Sequence, residues 1–98
     1  MTRLLLAPPA FGDLERLAQF LFATDAHAAI ETGELLISGL AILRDHPLVG
    51  RKVEQGLREL MIARGRSGYV ALYRFDALSD TALVLALRHQ REIAGGQG

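Results

Sequence analysis

The segment spanning residues 57–75, LRELMIARGRSGYVALYRF, constrains the fold more than any other part of this 98-residue chain. Two runs rich in strand-forming residues, 57–64 and 69–75, flank the turn Gly65-Arg66-Ser67-Gly68, whose glycines supply positive φ where a tight hairpin needs it. With Arg64 opposite Tyr69, alternation places Arg58, Leu60, Ile62, Tyr69, Ala71, Tyr73 and Phe75 on one face. Leu57, Glu59, Met61, Ala63, Val70, Leu72 and Arg74 fall on the other. Neither face is polar, so a hairpin of this kind needs cover on both sides.

The first half of the chain supplies cover for one side. Leu4-Leu5-Leu6 reads as a short buried strand, ended by Pro8-Pro9, with Pro9 suited to the first turn of a helix. Phe11, Leu14, Leu17, Ala18 and Leu21 recur at helical spacing over residues 10–23. Thr24 or Asp25 caps a second helix, whose stripe is Ala29, Gly33, Leu36, Leu40 and Leu43, widened by Ile30 and Ile37. Gly33 and Gly39 on this stripe predict close packing of the two helices as an αα-hairpin. Asp45-His46-Pro47 stops the second helix, because a residue before proline avoids α geometry. After the central hairpin, residues 76–80 make a turn and residues 81–89 a third strand. The order is β-α-α-β-β-β, an α+β domain with a helical hairpin on a mostly antiparallel four-stranded sheet. Leu14, Leu17, Leu36, Leu40, Leu60 and Leu85 are the expected core. Two helices cover one face of such a sheet. The other retains an apolar area rimmed by arginine, the usual mark of a partner site.

Composition narrows the class. Half the residues are hydrophobic and 22% charged, as in a globular domain. There is no cysteine, so no disulfide and no Cys-ligated metal. The apolar start at residues 4–7 is too short for a signal-peptide core, and no apolar run approaches bilayer length. The chain reads as one soluble, cytoplasmic domain over residues 1–93, with a small, Gly-rich, mobile tail at 94–98. Its formal net charge of zero is unevenly spread. Residues 1–43 carry two arginines against five carboxylates, net −3, while residues 44–98 carry nine Arg and Lys against six, net +3. All basic residues but Lys52 are arginine, which suits bidentate recognition of carboxylate or phosphate. That placement reads either as a solvated face with ordinary ion pairs or as a docking surface for an acidic partner on the C-terminal half.

Catalytic signatures are weak. The spacing around Gly65 and Gly68 fits neither common phosphate-binding fingerprint. His27, His46 and His89 lie far apart, so neither metal nor cofactor is expected. Ser38, Ser67 and Ser79 lack a nucleophile-elbow setting. Metal-free phosphodiester cleavage would need a base, an acid and cationic stabilisers. Arg51, Lys52, Arg58, Arg74, His89 and Arg91 offer parts of such a set.

The succession APPAFGDLERLAQFL, LRDHPLVGRKVEQGLRELMI, GYVALYRF and LVLALRHQRE resembles the RelE/ParE superfamily, the toxins of bacterial type II toxin–antitoxin modules. The resemblance covers residues 4–92. Its most specific pieces are Pro47 with Gly50-Arg51, then Arg58-Glu59-Leu60, Tyr73-Arg74, and His89 with Arg91. It implies the element order derived above, with the first strand beside the last. It also implies a cognate antitoxin whose C-terminal segment, disordered when free, folds across the helices and sheet in a hetero-oligomer. Operator DNA is then reached only through the antitoxin. RelE-like members are basic, ribosome-dependent mRNA endonucleases, whereas ParE-like members inhibit DNA gyrase. The balanced charge and the LRHQRE ending resemble the ParE-like branch, which implies gyrase as target and no catalytic residue. In the nuclease alternative Arg51, Arg58, Arg74, His89 and Arg91 would act on RNA. Arg58, Arg64, Tyr69, Tyr73, Arg74, His89 and Arg91 are the residues expected to touch antitoxin or target. A silent co-repressor that acts with its antitoxin is a third class.

Overall fold

The computed structural model describes residues 1–62 and 68–90. Strand β1 (Arg3–Leu6) leads into helix α1 (Pro8–Thr24) and helix α2 (Ala26–Ala41), followed by a 3-10 turn at Ile42–Arg44. The remaining strands are β2 (Arg51–Lys52), β3 (Arg58–Ile62), β4 (Tyr69–Asp76) and β5 (Thr81–His89). They form one five-stranded sheet in the order β1-β5-β4-β3-β2. Only the β1–β5 pair is parallel; the others are antiparallel. The α+β class, the helical hairpin and the first strand beside the last are as expected. The fifth strand is an addition: β2 is only two residues long, below the length at which alternation can be read.

Local chemistry explains the helical hairpin. Pro8 and Pro9 occupy the first helical positions of α1, where a missing N–H costs nothing. Asp25 alone joins the helices, in extended backbone at φ −161°. Its N–H closes α1 on the Leu21 carbonyl, and its carboxylate accepts the N–H groups of His27 and Ala28 at 3.0 and 3.3 Å. Such a cap is worth about 1 kcal/mol.

The core lies between the hairpin and one sheet face. Leu17, Leu36, Leu40, Leu43, Leu60, Ile62, Tyr69, Ala71, Tyr73, Val84 and Leu87 are buried in it, with Leu14 packed at its margin. Several expectations need correction. Phe11, Ile30 and Ile37 are 55%, 53% and 69% exposed, because the real contact stripe is narrower than the sequence pattern. A side chain at Gly33 would meet open space, so this glycine does not mediate helix packing. At Gly39 it would come within 2.6 Å of Ile62, which makes this a helix–sheet contact. Leu85 is half-buried because a register shift in the β4–β5 ladder turns Leu87 inward. Ile62, not Arg64, pairs with Tyr69. The slip is of two residues and preserves parity, so the face assignments survive. Residues 26–44 form a helical stretch of 19 residues with mean hydropathy of 1.3, long and apolar enough by composition to span a bilayer, contrary to the sequence expectation. Only 22% of it is buried, so much apolar side chain faces outward. Arg64, most of the turn at 65–68, Arg91 and the tail at 94–98 lie outside the described residues.

Candidate functional site

The sheet has one face under the helices and one that no helix among the described residues covers, termed the open face. Register places four rows on the open face. They are Arg3, Thr81 and Asp76; Leu5, Leu83 and Arg74; Ala86, Leu72, Glu59 and Arg51; and Arg88, Val70 and Met61. Leu5 and Met61 are 42% and 43% exposed, Leu72, Leu83 and Ala86 are half-buried, and Val70 is buried. The result is an apolar floor with guanidinium groups around it. Two of these are already paired: Arg51 bonds Glu59 at 2.6 Å, and Arg88 bonds Asp13 of α1. Among the described residues Arg3 and Arg74 make no direct ion pair, although Asp76 shares their face of the sheet.

A second unit stands at the β2–β3 end of the sheet. Tyr73, fully buried on β4, donates its hydroxyl to the Pro47 carbonyl at 2.8 Å and accepts the Gly50 N–H at 2.9 Å. Arg58 donates to the carbonyls of Leu48 and Gly50 at 3.0 and 2.9 Å. Gly50 is required by this closeness, since a Cβ there would lie 2.6 Å from the Tyr73 ring and 2.8 Å from the Glu59 carbonyl. The loop is therefore clamped from two strands, and Leu48 and Val49 project from it. A tight turn follows, with Gln55 at φ 61° and Gly56 at φ 73°. Two consecutive left-handed residues between β2 and β3 make a type I′ turn, closed by the Leu57 N–H on the Glu54 carbonyl.

Several sequence-selected residues thus have internal roles. Tyr69 and Tyr73 sit in the core, and Arg58 holds a loop. His89 is half-buried with its ring edge-on to Tyr69 at 5.0 Å. Arg74 is exposed on the open face. Arg64 and Arg91 fall outside the described residues. The nuclease candidates that are described divide between faces: Arg51 and Arg74 on the open one, Arg58 and His89 on the helix-covered one. No group of three His, Cys, Asp or Glu side chains is placed to hold a metal among the described residues. Sequence reasoning passed over Asp13, whose carboxylate accepts the Leu87 N–H at 2.9 Å just past the ladder shift and thereby ties α1 to β5. A lone helical aspartate carries no sequence signal for such a tertiary bond.

The family model described as ParE toxin of type II toxin-antitoxin system, parDE, matches residues 4–94. The curated protein Toxin RelE3 of Caulobacter vibrioides is 33% identical over 87 residues, covering 89% of this chain and 92% of that protein. The chromosomal ParDE system from P. aeruginosa contains a chain that superposes with a TM-score of 0.75 at 18% identity, covering 91% of this chain and 96% of that one. A chain of the intact E. coli RelBE toxin-antitoxin complex superposes at 0.64 with 15% identity, covering 91% and 96%.

Proposed function

Because the chain belongs to the RelE/ParE superfamily of type II toxin–antitoxin toxins, we propose that it is a ParE-like, cytoplasmic inhibitor of DNA gyrase, silenced by a cognate antitoxin that covers the open face of the sheet. The observation that carries the antitoxin half is that face itself. An apolar floor with Arg3 and Arg74 at its margin, neither in an ion pair among the described residues, suits a partner segment that is apolar along one side and acidic along the other. A segment disordered when free gains its order from such a surface. The solved relatives named above come from toxin–antitoxin complexes or systems, which supports a hetero-oligomeric state. Operator DNA is then approached through the antitoxin.

The gyrase half rests on charge and on the dispersal of the nuclease candidates. A protein acting within ribosomal RNA gains from surplus positive charge, and this chain has none. Metal-free cleavage of RNA needs base, acid and cations converging on one phosphate. Here Arg51 and Arg74 lie across the sheet from Arg58 and His89, and Arg51 and Arg58 are already engaged. One observation favours the mRNA endonuclease as the second reading: the 33% identical relative is named a RelE toxin. Purified protein added to a supercoiling assay, and separately to translating ribosomes, tests the two. Inhibited supercoiling with intact mRNA is the expected result. Ribosome-dependent mRNA cleavage with unaffected supercoiling would replace the gyrase reading.

A further inference from the structure

Beyond the open face, the clamped loop and the β2–β3 turn enclose a concavity of about 400 Å³, lined by Leu48, Lys52, Val53, Gly56, Leu57, Arg58 and Phe75. Its wall is apolar, from Leu48, Val53, Leu57 and Phe75. Its charged lining is wholly cationic, and neither Lys52 nor Arg58 makes an ion pair among the described residues. Among the described residues Arg58 bonds only the neutral carbonyls of Leu48 and Gly50. The walls are also fixed in advance. Tyr73 and Arg58 hold residues 47–50, and the type I′ turn sets residues 54–57. A preformed pocket of this size accepts a large apolar side chain without ordering its own walls.

We propose that this pocket is an anchor site for the antitoxin, taking one bulky apolar side chain from an acidic stretch whose carboxylates face Lys52 and Arg58. The inference rests on the toxin–antitoxin reading and adds a second contact, since Lys52, Arg58 and Phe75 fall by register on the sheet face opposite Arg51 and Arg74. Two separated contacts on one partner chain multiply through effective concentration, so neither needs to be tight alone.

The probe is the fluorescein-labelled hexapeptide Asp-Glu-Leu-Phe-Glu-Asp, followed by anisotropy against the full chain. Variants Lys52→Glu and Leu48→Asp are chosen because both side chains are exposed and neither contributes a side-chain bond to the clamp. The peptide should bind the unaltered chain, with at least about tenfold weaker binding to each variant. The charge-reversed peptide Lys-Arg-Leu-Phe-Arg-Lys should prefer Lys52→Glu to the unaltered chain. Equal binding to all three proteins, or none to any, overturns the pocket. The same variants are then co-expressed with the antitoxin-sized product of the adjoining reading frame. If that product binds the unaltered chain and both variants within about twofold, the pocket inference falls and the toxin–antitoxin reading stands. If it binds none of them, the toxin–antitoxin reading falls, and the antitoxin as occupant falls with it.

Discussion

Tyr73 and Gln55 show how much of this molecule turns on single side chains. The Tyr73 oxygen is both donor and acceptor in a buried site, joining Pro47 to Gly50. Removing it in Tyr73→Phe leaves the buried Gly50 N–H and the part-buried Pro47 carbonyl without that partner. An unsatisfied buried group costs about 1–3 kcal/mol, so the unfolding free energy from a urea melt should fall by that much. A loss below about 0.5 kcal/mol would mean that water replaces the hydroxyl. Gln55 makes the opposite case. It holds φ 61° without the freedom of glycine, in a turn whose next residue is Gly56. Left-handed backbone costs a residue with a side chain roughly 1 kcal/mol. Gln55→Gly should therefore stabilise the domain slightly in a thermal melt, despite its looser unfolded chain. A clear drop in Tm would show that the Gln55 side chain makes a contribution larger than the strain.

At the scale of elements, the helical hairpin packs on the sheet through α1 against β5 and α2 against β3. Leu40 is buried on the inner face of α2, so Leu40→Ala should cost about 2–5 kcal/mol. A denaturant melt showing a change under about 0.5 kcal/mol would place α2 elsewhere. Periodicity made the elements legible: β5 occupies the residues expected of the third strand, and Asp25 caps α2. Helix faces were less legible. Ile30 and Ile37 fit the apolar stripe as well as Leu36 does, yet they lie outward. Hydrophobicity records that a side chain avoids water, whereas the choice of neighbour depends on how the hairpin is rotated on the sheet. The site was split in the same way. Arg74 on an exposed face follows from alternation. The internal use of Tyr73 and Arg58 depends on where residues 47–50 return, which no local pattern encodes. Even so, Pro47, Gly50, Arg58 and Tyr73, from three of the four sequence pieces most specific to the superfamily, meet in one bonded cluster, whereas His89 lies apart from it.

The whole molecule separates its charge between halves and its apolar surface between faces. Arg74 lies where both meet, exposed beside Leu83 and Leu72 and without an ion pair among the described residues. A charge-assisted bond to a partner carboxylate is worth about 1.5–3 kcal/mol. Arg74→Ala should thus weaken antitoxin binding about tenfold or more, while the Tm of the free chain hardly moves. A destabilised chain with unchanged affinity would assign Arg74 to the fold instead. The parallel pairing of β1 with β5 has a different kind of consequence. Thr2 bonds Asp80 across 78 positions, and the Arg3 N–H bonds the Asp80 carbonyl, seating β1 against the last strand. During synthesis β1 leaves the ribosome early and has no partner until β5 has emerged, whereas α1 and α2 can pair at once. A chain stalled before residue 81 therefore lacks both the β1–β5 ladder and half of the open face. Such stalled chains should be cut readily by protease near β1, and chains extended past β5 should resist. Equal resistance of the two would show that β1 is secured before its strand partner exists. A growing toxin is thus kept incomplete by its own topology until β5 has been made.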